Sequence, residues 1–234
     1  MTTSLTNTFD LSFNEIAEES WERAGSEIRG GYDLRTTRRS LNLLLVDWAN
    51  RGVNLWTLAS DSLLLVAGQA VYTLTDPMVD IVDAVIRTAP GDVNNQTDLT
   101  ISRISVSTYA TIPNKLSTGR PIQMWVQRLQ PGVQVTVWPA PDTALPYTLT
   151  YWYMRRIYDV GSSATVNASQ TMDVPYRFLE ALTAGLAYKI AQKIPEGQPR
   201  LQMLEMAYEK AWQMASDEDH EKAPVRFLPR IGAL

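Results

Sequence analysis

The sequence contains no cysteine and only one histidine, His220. Without cysteine the chain has no disulfide framework, no thiol nucleophile and no zinc site of the usual Cys/His type. His220 lies within an acidic run, where it is a poor candidate for the base of a Ser-His-Asp triad. Gly-rich phosphate loops and the Gly-x-Ser-x-Gly motif are also missing. We therefore expect a protein that is not an enzyme and that binds no cofactor and no metal ion.

Long hydrophobic runs are missing as well. The longest, residues 63–67, is far shorter than the ~20 residues that cross a bilayer. The N-terminus has no basic segment followed by an apolar stretch, so we expect no signal peptide. The sequence thus predicts a soluble, intracellular protein without membrane association, whose 234 residues, 45% of them hydrophobic, are enough to bury a core.

Glutamate and proline are each absent from a large part of the chain. All eleven glutamates lie in residues 15–27 or 180–221, whereas eight of the thirteen prolines lie in residues 77–146 and none precedes Pro77. Glutamate favours helices, and proline is incompatible with a helix interior. The distribution predicts an α+β fold, with N- and C-terminal helices forming a helical bundle and a central antiparallel β-sheet or small β-barrel.

Two helical patterns occupy the N-terminal region. Ser12 and Glu15 have the spacing of a capping box, and an apolar stripe follows them. The glycine pair at residues 30–31 indicates the end of this region, and a second helix is predicted from about Thr36 to Gly52. The face of this second helix opposite its leucines carries four arginines: Arg35, Arg38, Arg39 and Arg51.

From Leu55 onward, short apolar runs bounded by Gly, Pro and Asp favour strands. The clearest hairpin contains Pro131 and Gly132, which fit the central positions of a type II turn. The predicted strands are residues 63–67, 70–74, 81–86, 122–129, 133–138 and 147–153.

The C-terminal region returns to a helical pattern. Asp173 is a candidate N-cap with Pro175 in the first turn, and the break at residues 195–197 separates two helices that form a hairpin. Pro224 and Pro229 exclude one continuous helix at the end, which favours an extended arm. The expected parts are N-terminal helices in 1–57, a β-rich domain in 58–165, a helical hairpin packing on the N-terminal helices in 166–218, and the arm in 219–234.

The charged residues favour protein contacts over nucleic-acid binding. The net charge is −4, which opposes a general electrostatic footprint on DNA. Arginine, tryptophan and tyrosine are enriched at protein interfaces, and the sixteen arginines outnumber the five lysines. An apolar arm is better docked on a partner than left in water. Its expected contact residues are Arg226, Phe227, Leu228, Arg230, Ile231 and Leu234.

Carboxylates leave one enzymatic alternative open, because paired Asp or Glu side chains can hydrolyse glycosides without histidine. Asp80 and Asp83 lie in one predicted strand, but their odd spacing places them on opposite faces. Four glutamates lie close together on the first helix, where they are most simply its solvated face. They are Glu15, Glu18, Glu19 and Glu22.

Several short sequence motifs, taken in order, resemble those of the head-to-tail adaptor proteins of short-tailed bacteriophages. This family includes tail tubular protein A and related head-completion proteins. The resemblance covers roughly residues 13–193. It is carried by Leu44-Leu45-Val46-Asp47-Trp48-Ala49-Asn50-Arg51-Gly52-Val53-Asn54-Leu55-Trp56, Ile101-Ser102-Arg103-Ile104-Ser105, Tyr109, Ile112-Pro113, Gly119-Arg120-Pro121, Trp138-Pro139-Ala140-Pro141-Asp142 and Val174-Pro175-Tyr176-Arg177-Phe178.

This resemblance implies a non-enzymatic virion protein at the portal-tail junction, made in the host cytoplasm. It would form a ring of twelve copies under the portal protein, extend the DNA channel and offer a docking surface to the tail tube or nozzle. DNA would pass through without sequence-specific binding, which suits a modestly acidic protein. Arg35, Arg38 and Arg39 are the expected inter-subunit residues, and the arm would bind the portal or a neighbouring copy. The alternatives are a virion-associated, carboxylate-dependent cell-wall hydrolase and another neck or tail structural subunit.

Overall fold

The computed structural model describes residues 8–52, 55–74, 77–130, 132–160 and 171–219. The chain divides into two compact units: unit 1 comprises Met1–Arg51 and Tyr158–Leu234, and unit 2 comprises Gly52–Ile157. The described residues form the helices α1 (Phe13–Ala24), α2 (Gly31–Arg51), α3 (Val106–Thr111), α4 (Leu179–Ala191) and α5 (Leu201–Glu218). All of these but α3 belong to unit 1, so the prediction of an α+β fold with helices near both ends is confirmed.

Helix α1 begins as the sequence predicts. The Ser12 hydroxyl accepts the backbone N–H of Glu15, and the Glu15 carboxylate accepts the backbone N–H of Ser12, which completes the capping box. Gly25 ends the helix in the left-handed conformation, with φ at 91°. The apolar stripe is buried: Phe13, Ile16, Ala17, Trp21 and Ala24.

The predicted start of α2 at Thr36 is wrong, because the helix begins five residues earlier at Gly31. The Asp33 carboxylate accepts the backbone N–H of Arg29 at 2.9 Å, and the Gly30 carbonyl accepts the N–H of Asp33 at 3.0 Å. An acidic side chain in the first turn also suits the positive end of the helix dipole. The glycine pair at residues 30–31 therefore lies at the start of α2 and does not mark the end of α1, which ends at Ala24.

Helix α4 lies at the centre of unit 1, with ten of its thirteen residues buried. It packs against α1, α2 and α5. Asp173 is not its N-cap, because a 3₁₀ turn (Tyr176–Phe178) precedes the helix and the Asp173 carboxylate accepts the backbone N–H of Tyr158. A second 3₁₀ segment (Pro195–Arg200) joins α4 to α5, and the two helices form a hairpin.

Aromatic rings fill the contact between α2, α4 and α5. The ring centroids of Trp48, Phe178 and Trp212 lie 4.8 to 5.6 Å apart, with tilted planes. Such tilted pairs contribute about 0.5–1.5 kcal/mol each beyond the burial of their surface. This cluster joins helices from both ends of the chain.

The described residues of unit 2 form eight strands besides α3. The strands are β1 (Leu58–Leu64), β2 (Val71–Leu74), β3 (Met78–Thr88), β4 (Thr97–Thr100), β5 (Ser102–Ile104), β6 (Gln123–Arg128), β7 (Val133–Trp138) and β8 (Tyr147–Arg155). They form two four-stranded sheets with the orders β1-β8-β3-β4 and β2-β7-β6-β5. Every neighbouring pair is antiparallel except β5 and β6, which run parallel.

The predicted hairpin is present as β6 and β7, paired from Gln123 opposite Trp138 to Arg128 opposite Val133. Pro131 lies outside the described residues, and the Leu129 N–H donates to the Gly132 carbonyl at 2.8 Å across the turn. One hydrophobic core receives side chains from both sheets, among them Ile86, Leu149 and Val135.

In the part of the chain that the structure describes, no helix has the length and apolar character to cross a membrane.

Candidate protein-docking surfaces

Arg35, Arg38 and Arg39 lie together on α2, as the helical spacing predicts. With Asn42, Leu43 and Val46 they line a surface depression of about 390 Å³, here called the arginine patch. Arg35 and Arg39 are exposed, whereas Arg38 is half-buried and its guanidinium lies 5.5 Å from the centroid of the Phe13 ring. Within the described ranges, no carboxylate forms an ion pair with any of the three.

Further positive charge lies beside this patch. The Lys193 ammonium donates to the Ser40 hydroxyl on α2. Burial lowers the pKa of Lys193, and the positive charges of Arg39 and Lys189 lower it further. Lys193 thus adds a further cationic side chain close to Arg39.

Apolar side chains are also exposed in the arginine patch. Leu43 and Val46 retain 54% and 47% of their accessible surface. Arginines next to exposed aliphatic side chains are typical of protein interfaces, because such surfaces gain from both charge pairing and apolar burial.

Arg51 also lies on α2, but its guanidinium contacts side chains of α5 within unit 1. Its guanidinium donates two hydrogen bonds to the Glu209 carboxylate, at 3.0 and 2.7 Å, and lies 5.0 Å from the ring centroids of both Tyr208 and Trp212. The hydrogen bond to Glu209 raises the pKa of Arg51. This arginine stabilises the contact between α2 and α5.

A second surface lies between α1 and α4, where a groove of about 910 Å³ has five glutamates among the eleven residues that line it. Arg23 is the cation in this lining, and it binds Glu19 at 2.7 Å and Glu180 at 2.6 and 3.0 Å. Two aromatic side chains, Phe9 and Tyr176, are exposed at the same groove. The five glutamates of this surface, here called the acidic groove, are Glu15, Glu18, Glu19, Glu22 and Glu180.

Asp80 has a structural role in unit 2. Its carboxylate, only 13% exposed, forms ion pairs with Arg103 on β5 and Arg128 on β6. Burial raises the pKa of Asp80, but the hydrogen bonds and charges of the two arginines outweigh it, so the pKa lies below its usual value. Asp83 is exposed and accepts the N–H of Ala84, so the geometry provides no paired acid and base here.

The ion pairs of Asp80 were not evident from the sequence, because strand pairing brings residues 80, 103 and 128 together over long separations. In the described part of the chain, no group of three or more His, Cys, Asp or Glu side chains could hold a metal ion.

The predicted contact residues of the C-terminal arm lie outside the described residues. This applies to Arg226, Phe227, Leu228, Arg230, Ile231 and Leu234. The last described residue, Asp219, follows α5, and its buried carboxylate pairs with Arg177. This ion pair holds the end of α5 against the start of α4.

Comparison with known proteins identifies a family. The sequence matches the family model described as SU10 adaptor protein over residues 13–227, a range that includes every described helix and strand. No curated protein matches the chain. The match agrees with the resemblance to phage head-to-tail adaptors that the order of the short sequence motifs indicates. The chain therefore belongs to the SU10 adaptor protein family and is a structural adaptor protein of a bacteriophage virion.

Proposed function

We propose that the chain assembles as a twelve-copy ring beneath the portal of the DNA-filled capsid. There it extends the DNA channel and gives the tail tube or nozzle a surface on which to dock. The observation that carries this proposal is the match to an adaptor family over nearly the whole chain, residues 13–227. A non-enzymatic role is consistent with Asp80, the half-buried carboxylate of the middle region, being neutralised by two arginines.

The surfaces of unit 1 support an assembly role. The arginine patch combines cations that form no ion pair with any described carboxylate with the exposed side chains of Leu43 and Val46, a combination suited to contact with another protein. We assign Arg35, Arg38 and Arg39 to the contact between copies in the ring. The net charge of −4 suits a conduit through which DNA passes without tight binding.

The arm, residues 219–234, is proposed to bind the portal or a neighbouring copy. Its sequence supports this role because it combines apolar residues such as Phe227 and Ile231 with two prolines and two arginines. An extended segment of this composition gains more from a protein groove than from water.

The experiment is to mix the purified protein with the portal ring encoded by the same phage and measure the mass and symmetry of the product by sedimentation and cryo-electron microscopy. We expect twelve copies on one face of the portal and the same density at the portal-tail junction of the virion. Density elsewhere in the virion would overturn the proposal. A trimeric or hexameric product would instead support another neck or tail subunit, and clearing of a cell-wall suspension by the purified protein would support a hydrolase.

A further inference from the structure

Among the described residues of unit 1, two surfaces of opposite charge form no ion pair with each other. The acidic groove has five glutamates and one arginine, Arg23. The arginine patch has three arginines and no carboxylate in its lining. In the described residues, Glu18 and Glu22 of the groove form no ion pair, and neither do the arginines of the patch. Both surfaces therefore retain charge that a complementary partner would neutralise.

We propose that the arginine patch of one copy docks in the acidic groove of the next copy. This inference rests on the proposed function, because it names the two faces through which the ring would close. The partner is a second copy of this chain, since each copy carries both the cationic and the anionic half of the contact.

The chemistry of the two surfaces matches in two respects. Guanidinium groups form bidentate pairs with carboxylates, and Glu180 of the groove already makes such a pair with Arg23. The exposed aliphatic groups of Leu43 and Val46 in the patch have counterparts in the exposed Phe9 and Tyr176 rings at the groove. Burial of these apolar groups would exclude water from the ion pairs and so strengthen them.

The contact would be heterologous, because the patch and the groove have no residue in common. A heterologous contact joins copies head to tail and generates a closed ring whenever its rotation closes. DNA is the other polyanion that could contact the patch. The exposed Leu43 and Val46 favour the protein partner, because aliphatic side chains gain nothing from phosphates.

Chemical cross-linking tests the contact directly, because the natural sequence contains no cysteine. The substitution Leu43→Cys places a thiol in the patch and Tyr176→Cys places one in the groove, and both leave every charged side chain in place. A short bis-maleimide is the appropriate reagent, since a disulfide requires Cα atoms closer than about 7 Å. Met206→Cys, at an exposed position of α5 outside both surfaces, is the matched control.

The two variants are mixed, alone and on the portal ring, treated with the reagent and separated by denaturing electrophoresis. We expect a covalent dimer from the mixture of Leu43→Cys with Tyr176→Cys, at least tenfold more than from either variant by itself. Leu43→Cys mixed with Met206→Cys should give only the background amount. A chain that carries both Leu43→Cys and Tyr176→Cys should give a ladder of multimers, and a mixture without the specific dimer in both conditions would overturn the inference.

Charge reversal provides the second measurement. Arg35→Glu with Arg39→Glu should weaken self-association at least tenfold, and so should Glu18→Arg with Glu22→Arg. Combining all four changes in one chain should restore it, because the contact then has the same ion pairs with their signs exchanged. Failure of the combined variant to recover, while its helical circular dichroism is unchanged, would count against the contact.

The failure of this inference and that of the proposed function give different results. If the wild-type protein forms a ring on the portal but the specific cross-link is absent, the faces are wrong and the adaptor role stands. If the cross-link forms but the portal is not bound, the contact stands and the portal role is wrong. If Arg35→Glu with Arg39→Glu abolishes binding to a short DNA duplex without changing self-association, the patch is a DNA contact and the inference is overturned.

Discussion

Trp48 of α2 donates its indole N–H to the hydroxyl of Tyr208 of α5, with 3.0 Å between the nitrogen and the oxygen. Both side chains are buried, at 0% and 4% exposure, and 160 residues separate them in the sequence. A buried polar group costs free energy unless it is hydrogen-bonded, so each of these residues depends on the other. The bond makes the N-terminal and C-terminal segments of unit 1 mutually dependent.

Replacing Tyr208 with Phe tests this dependence. The substitution Tyr208→Phe keeps the ring but leaves the Trp48 N–H without its partner in the described structure, and we expect the free energy of unfolding to fall by about 1–3 kcal/mol. Urea unfolding followed by tryptophan fluorescence measures the change. Tyr176→Phe removes an exposed hydroxyl and should change the stability by less than about 0.5 kcal/mol. Equal effects from the two substitutions would contradict the assigned role of the buried bond.

Gly185 permits the close approach of α4 and α5. A Cβ atom at this position would lie 2.7 Å from Cε2 of Tyr208 and 3.0 Å from Cδ2 of Leu44. Gly185→Ala should therefore destabilise unit 1 by about 1–3 kcal/mol through overpacking, although alanine favours a helix by up to about 1 kcal/mol.

The matched control for Gly185 is Gly31→Ala at the start of α2, where a Cβ would meet nothing within 4 Å. We expect this variant to be as stable as the wild type or slightly more stable. Thermal unfolding of both variants measures their stabilities relative to the wild type. A stabilised Gly185→Ala protein would show that the Tyr208 ring can move away from position 185.

The ion pairs of Asp80 predict that unit 2 loses stability at acidic pH. Because Arg103 and Arg128 hold the pKa of Asp80 below its usual value, the ionised form stabilises the fold. This contribution is fully present above the unfolded-state pKa of about 3.9 and is lost as the pH falls through the lower folded-state pKa. Asp80→Asn should cost about 1.5–3 kcal/mol at neutral pH.

The measurement is the urea midpoint of both proteins at several pH values from neutral to about pH 3. The difference between wild type and Asp80→Asn should narrow below about pH 4. Asp83→Asn is the control, because Asp83 is exposed and forms no ion pair in the described residues. A difference that is independent of pH would assign the effect to packing instead of charge.

Deletion of residues 223–234 tests the arm. The deletion leaves Asp219 in place, and with it the ion pair to Arg177 that holds the end of α5. We therefore expect an unchanged melting temperature and a loss of binding to the portal ring in a sedimentation assay. Retention of portal binding at the wild-type level would show that the arm has no docking role.

Local patterns were the most predictable part of this fold. The capping box at Ser12, the stripe of α1 and the β6–β7 hairpin depend on residues close in sequence, and all three are present. The sequence does not predict helix α3, because its six residues, Val106–Thr111, carry no apolar stripe; in agreement, none of them is buried. The start of α2 was misplaced because the Asp33 carboxylate overrides the usual terminating effect of two glycines.

Long-range pairing was the least predictable part. The parallel pairing of β5 with β6 and the ion pairs of Asp80 depend on which strands become neighbours, and a single sequence does not specify this. Helical spacing alone predicts that Arg35, Arg38 and Arg39 lie together, but it does not predict the apolar part of the arginine patch. The sequence indicates the first four glutamates of the acidic groove only as the solvated face of α1, because Glu180 joins them from the other end of the chain.

The division of the chain also sets the order in which its two units are completed during synthesis. Unit 2 is inserted between α2 and α4, so its strands are complete before α4 and α5 have been synthesised. Synthesis adds about 5–20 residues per second, so α4 and α5 are made on the order of ten seconds after α1 and α2, whose apolar faces they cover. During synthesis the strand unit can fold first, and the helical unit that carries the arginine patch and the acidic groove is completed after it. The acidic groove in particular cannot form until Glu180 and the rest of α4 have been synthesised.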